Sequence, residues 1–106
     1  MTNEVRNKLL EYVKERTPQT ELLALIAEEA AELTHAALKY RRVLEGTCPT
    51  PVTLEEAREA LAEEIADVLL LTNPGTCGEL ADWIRDIQDR KLRRWADRLR
   101  EKEDKK

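Results

Sequence analysis

The sequence predicts an all-α protein, a four-helix and mostly antiparallel bundle, on three observations. Apolar residues recur at spacings of three and four along most of the chain, the period of a helix with one buried face. Gly and Pro are confined to a few short stretches, which divide the chain into four helical segments. No run alternates with the period of a strand, and a composition of 38% charged and 4% aromatic residues, with no Phe, suits long charged helices better than a sandwich or barrel.

The first helix is expected over Asn3–Arg16, with Val5, Leu9, Leu10, Tyr12 and Val13 as its apolar residues. It stops at Thr17-Pro18, because proline disfavours helix in the residue before it and suits the first turn of the next. A long second helix is expected from about Pro18 to Glu45. Gly46 is its C-terminal stop, and Lys39, Arg41 and Arg42 lie near the negative end of its dipole. The segment from Thr47 to Val52 holds Pro49 and Pro51 and reads as a linker. Thr53 caps the third helix, with Glu56 where a capping box needs it, and that helix runs to about Thr72. Asn73-Pro74-Gly75 ends it. After Gly78 a fourth helix runs from Glu79 to Leu99 or slightly beyond. The tail from Arg100 to Lys106 has no apolar residue and is expected to fray.

With 106 residues the chain is expected to form one domain over residues 1–100. A core without Phe must be built from Leu, Ile, Val and Ala, and so small a core gains stability by oligomerising, so a homodimer or homotetramer is expected. A net charge of −4 argues against a general nucleic-acid binder. No segment has the length of a membrane span or the pattern of a signal peptide, and Cys48 and Cys77 read as reduced thiols in a cytoplasmic protein.

The chemistry concentrates in two stretches, Leu25-Ile26-Ala27-Glu28-Glu29-Ala30-Ala31-Glu32-Leu33 and Glu63-Glu64-Ile65-Ala66-Asp67-Val68. On a helical wheel Leu22, Ile26, Ala30, Leu33 and Ala37 share one face, and Glu29 points inside that arc while Glu32 borders it. Leu54, Leu61, Ile65 and Val68 make the corresponding face of the third helix, with Glu64 inside it and Asp67 at its border. Glu28 and Glu63 point outward. Carboxylates aimed at an apolar interior must pair, protonate or bind metal. Four oxygen donors without an ordered set of His or Cys suit a hard cation such as Mg²⁺. The competing reading is an acidic, solvated rim on an ordinary bundle. The recurrence of the same offset on two helices favours a site.

On the fourth helix Lys91 and Arg98 fall within the apolar arc and Arg94 on its edge. Near the acids, such cations would neutralise phosphate oxygens, whereas alone they would snorkel to water. Trp83 and Trp95 read as core or interface residues. Glu32-x-x-His35 matches half of a di-iron carboxylate motif, but such bundles need two copies and this chain has a single His. His35 is expected at the surface.

The pair Glu29-x-x-Glu32 and Glu64-x-x-Asp67, each on an amphipathic helix, resembles the motif pair of the MazG-like nucleotide pyrophosphohydrolases of the all-α NTP pyrophosphatase superfamily. The resemblance extends over roughly residues 20 to 100, and Lys91-Leu92-Arg93-Arg94 is similar to the family's basic segment. It implies hydrolysis of a nucleoside triphosphate to monophosphate and pyrophosphate. Mg²⁺, with Mn²⁺ as a substitute, would be held by Glu29, Glu32, Glu64 and Asp67. Glu32 or Glu28 would accept the proton of the attacking water, and Lys91 and Arg94 would bind phosphate. A phosphoribosyl-ATP pyrophosphohydrolase and a non-catalytic helical module are the alternatives. The gap between the motifs is longer than in compact members of the family.

Overall fold

The computed structural model describes residues 1–48, 51–73 and 78–105. It contains four α-helices: α1 (Asn3–Arg16), α2 (Gln19–Glu45), α3 (Leu54–Leu71) and α4 (Ala81–Asp104), the last entered through a 3₁₀ turn at Gly78–Leu80. No strand occurs among the described residues. Among the described residues no helix is long and apolar enough to cross a membrane.

Most helix ends follow from local chemistry. The Thr2 hydroxyl accepts from the Val5 N–H at 3.2 Å and caps α1. α2 ends where Gly46 turns into the left-handed region at φ 74°, a conformation that costs glycine little. Thr53 and Glu56 form the expected capping box on α3, with the Glu56 N–H donating to the Thr53 hydroxyl at 3.1 Å and the Thr53 N–H to the Glu56 carboxylate at 3.3 Å. The C-terminal end differs from expectation. α4 continues through Asp104, past the Leu99 region where fraying was expected. Glu101, Lys102 and Glu103 are good helix formers, and a stretch needs no apolar residue to prolong a helix already nucleated.

The chain divides into two compact units, Met1–Thr76 and Cys77–Lys106. In the first unit the helix-to-helix packing among the described residues is that of α2 on α3. At their seam lies Ala57, 2% exposed, the one fully buried apolar residue among those described.

The burial pattern turns the packed face of α2 away from its expected centre. Ala30 and Ala37, expected inside, are exposed, while Leu22, Leu25, Leu33, Ala36, Tyr40 and Val43 are half-buried. On α3 the half-buried positions are Leu61, Glu64, Val68 and Leu71, and Ile65 and Leu54 lie outside at 40% and 44% exposure. The physical reason is volume. Leucine, valine and tyrosine gain more from contact than alanine does, so the helix rotates to place them in the seam. That rotation brings Glu29 close to the centre of the packed face of α2.

In the second unit α4 is amphipathic and most of its large apolar residues are open, with Trp83 64% and Trp95 65% exposed and Ile87 half-buried. Trp83 and Trp95, expected in the core or at an interface, are not buried within this unit. His35 is exposed as expected, and Cys48 is half-buried. Cys77, Pro49, Thr50 and the Pro74-Gly75 stop lie outside the described residues.

Candidate metal centre

Glu29 and Glu64 reach the seam because each takes the fifth position of one nine-residue pattern. Residues 25–33 and 60–68 share Ala27/Ala62, Glu28/Glu63, Glu29/Glu64 and Ala31/Ala66, and pair Ile26 with Leu61, Glu32 with Asp67 and Leu33 with Val68. Ile26 and Leu33 on α2 and Leu61 and Val68 on α3 are half-buried, and the central glutamate of each copy lies between them. One helical turn on, each copy supplies a second acid at the border.

Glu29, Glu64 and Asp67 each offer a carboxylate oxygen, and these oxygens all lie within 4.8 Å of one another. Glu29 and Glu64 are half-buried, and Asp67 is exposed. The Oε2 atoms of Glu29 and Glu64 are both shut off from solvent without a hydrogen-bond partner. A buried carboxylate oxygen left in this way is costly unless a proton or a cation meets it.

The electrostatics respond accordingly. Burial, followed by the charges of Glu32, Asp67 and Glu64, pushes the Glu29 carboxyl up to about 7. Glu64 is raised as well, again through burial first and then the charge of Glu32. Both shifts have the sign expected when desolvation and like charges disfavour the ionised form. Glu32 is exposed and lies outside the close triad, yet among the neighbouring carboxylates it acts most strongly on both glutamates. All four expected metal-binding acids therefore influence one spot.

The remaining candidates are placed differently. Glu28 is exposed and is not part of the triad. Lys91 and Arg94 are exposed on α4, where with Ile87 and Arg90 they line a concavity of about 400 Å³ in the second unit. The structure adds Arg90 to the basic residues singled out from sequence. Arg90 lies off the apolar arc of α4, so periodicity does not mark it, although a long guanidinium stem reaches round a helix edge.

The donor set fits a hard divalent cation. It is made of carboxylate oxygens alone, it contains two orphaned oxygens aimed into one seam, and its repulsion is relieved by positive charge. Compared with known proteins, the chain matches no protein-family model, no curated protein and no solved structure.

Proposed function

We propose that the protein is a metal-dependent nucleotide pyrophosphohydrolase, of the MazG-like kind that its paired acidic motifs resemble. The observation that carries this reading is the pair of unpartnered, solvent-shielded oxygens of Glu29 and Glu64, within ligand spacing of Asp67. A bundle seam that tolerates such atoms is poor as mere packing and good as a cation cradle.

Glu29, Glu64 and Asp67 would hold the ion, with Glu32 completing the shell at its exposed side. Bound there, Mg²⁺ or Mn²⁺ would polarise the phosphates and lower the pKa of a coordinated water. In the overall reaction the water oxygen bonds to the α-phosphorus and the α–β phosphoanhydride bond breaks, leaving a nucleoside monophosphate and pyrophosphate. A carboxylate takes the water's proton. Glu32, beside the triad and open to solvent, is better placed for this than Glu28. Within the second unit, Lys91, Arg94 and Arg90 line one concavity whose cations suit phosphate oxygens.

The antiparallel bundle belongs to the same reading, and chain length supports it. Were α2 and α3 parallel with Glu29 beside Glu64, Glu45 and Leu54 would stand about 39 Å apart along the axis. The chain between them spans at most about 32 Å.

The test is a panel of ribo- and deoxyribonucleoside triphosphates, with phosphoribosyl-ATP included, incubated with Mg²⁺ and then with EDTA. Pyrophosphate release from at least one of them, abolished by the chelator, is the expected result. Absence of release from every nucleotide would sink the hydrolase reading.

A further inference from the structure

Among the described residues three charged side chains are half-buried: Glu29, Glu64 and Lys39. The two glutamates carry the orphaned oxygens of the seam. Lys39 is the one cation that the fold partly withdraws from water, and it forms no ion pair among the described residues. Taking an ammonium out of water is unfavourable unless an anion meets it. Snorkelling accounts for a packed lysine stem and leaves the anion for its head unassigned.

The neighbouring chain does not supply that anion. The residues one turn away on α2, where a helix ordinarily pairs a lysine, are His35, Ala36, Arg42 and Val43. None is acidic, and Arg42 adds a second positive charge to this end of the helix. Glu45, the last acid of α2, is held by Arg41 at 2.8 Å. On α3 the Glu56 carboxylate accepts from the Thr53 N–H at 3.3 Å in the capping box. Lys39 is also on the side of α2 that carries the outer acids. It follows Glu32 by two helical turns, within about 20° of the same direction and about 10 Å along the axis. Side chains on a helix lean toward its N-terminus, which for Lys39 is the direction of Glu32. Unpartnered acids and an unpartnered cation thus share one side of one helix, too far apart to neutralise each other directly.

We propose that Lys39 binds the pyrophosphate portion of the substrate, the β- and γ-phosphates that depart, an assignment that rests on the hydrolase reading for the identity of the substrate. With the α-phosphate at the acidic centre, the polyphosphate runs along the outer side of α2 and its far end meets the Lys39 ammonium. When the α–β phosphoanhydride bond breaks, its electron pair leaves with the pyrophosphate oxygen. Lys39 keeps its proton throughout and offsets the growing charge by donating hydrogen bonds. A cation at this distance also selects for phosphate length: a triphosphate spans the gap, and the monophosphate product does not.

The experiment is calorimetric titration of inorganic pyrophosphate into the full chain in excess Mg²⁺, without nucleotide and so without turnover. The parent is compared with Lys39→Met, which keeps an unbranched apolar stem and removes the charge, and with Arg41→Met, which alters an exposed, ion-paired neighbour. Lys39→Met should weaken pyrophosphate binding about tenfold or more and leave the thermal shift caused by Mg²⁺ alone unchanged. Arg41→Met should stay within about twofold of the parent. A parent that binds no pyrophosphate, or an affinity that Lys39→Met leaves intact, would overturn the assignment. So would loss of the Mg²⁺ shift in Lys39→Met, because the lysine would then act by holding the acids. Hydrolysis is judged separately on the nucleotide panel. Release of pyrophosphate there, with binding indifferent to Lys39, sinks the lysine's role alone, whereas Lys39-dependent binding without release from any nucleotide keeps the phosphate site and sinks the hydrolase reading.

Discussion

Glu29 and Glu64, the central acids of two copies of one pattern, each bury an Oε2 atom that has no hydrogen-bond partner, and they do so in the seam where α2 meets α3. Packing and repulsion therefore act at one place. Apolar neighbours draw the helices together there, while two half-buried carboxylates resist.

The first prediction concerns pH. The folded-state value of Glu29 is raised to about 7 from an ordinary 4.5, so the folded protein binds that proton more tightly than the unfolded chain does. The associated stability is fully present below the unfolded value and is lost as pH rises through the folded one. Glu64 is shifted in the same direction. In EDTA the melting temperature should fall between pH 5 and pH 8, and Glu29→Gln should flatten that fall. A melting temperature that rises over this window and is unaffected by the substitution would contradict the electrostatic account.

Adding a divalent cation should reverse the trend. Mg²⁺ or Mn²⁺ competes with the proton for the same oxygens, so the thermal shift it produces should be larger at pH 8 than at pH 5.5. Calorimetric titration in two buffers of different ionisation enthalpy would count the protons released, with a fractional release near neutral pH expected.

Glu64→Gln separates the charge from the shape. It removes one negative charge from the cluster while leaving the side-chain volume nearly unchanged. Without metal the variant should be at least as stable as the parent at pH 8. With metal it should lose the thermal shift, and any pyrophosphate release should drop by more than the 10–100-fold typical of losing an outer-shell partner. Retention of full activity would mean that Glu64 holds no ion.

Packing at the seam should be sensitive at Ala57. It is 2% exposed, so Ala57→Leu forces extra volume between the helices and should cost about 1–3 kcal/mol. Thr53→Ala, which removes one side of the capping box, should cost about 1 kcal/mol. Urea denaturation followed by circular dichroism measures both. The two losses should couple, since the Ala57 N–H donates to the Thr53 carbonyl at 3.1 Å and both sites lie in the first turn of α3.

Lys91→Ala should raise KM for a nucleotide without altering the thermal shift caused by Mg²⁺ alone. Parallel kinetics and melting curves on the one variant decide this. An unchanged KM would remove Lys91 from nucleotide binding.

Much of this molecule is legible in its sequence, and the legible parts share a cause. Helix ends are set by a few atoms close in the chain, so Gly46 and the Thr53–Glu56 pair announce them. The acids are legible because a repeated pattern places them at equal angles on two helices. The rotation of α2 is not. Ala30 and Ala37 fit either environment, and only the bulk of partners such as Tyr40 and Val43 decides which face turns inward. Periodicity sets Glu32 at the border of the arc and Glu28 outward, but it does not choose which of them takes the proton. Both lie within a turn of Glu29, but they are divided by how near each comes to a helix that is distant in sequence. The length of α4 was underestimated because an absence of apolar residues marks a loss of packing, not of backbone order.

The seating of acids in the seam of the first unit gives the helix pair a latch. Whatever cancels charge at Glu29 and Glu64, a proton at low pH or an ion above it, also decides how firmly α2 grips α3. A chelator in alkaline buffer should then act on this protein as a mild denaturant, loosening amide protection along both helices at once.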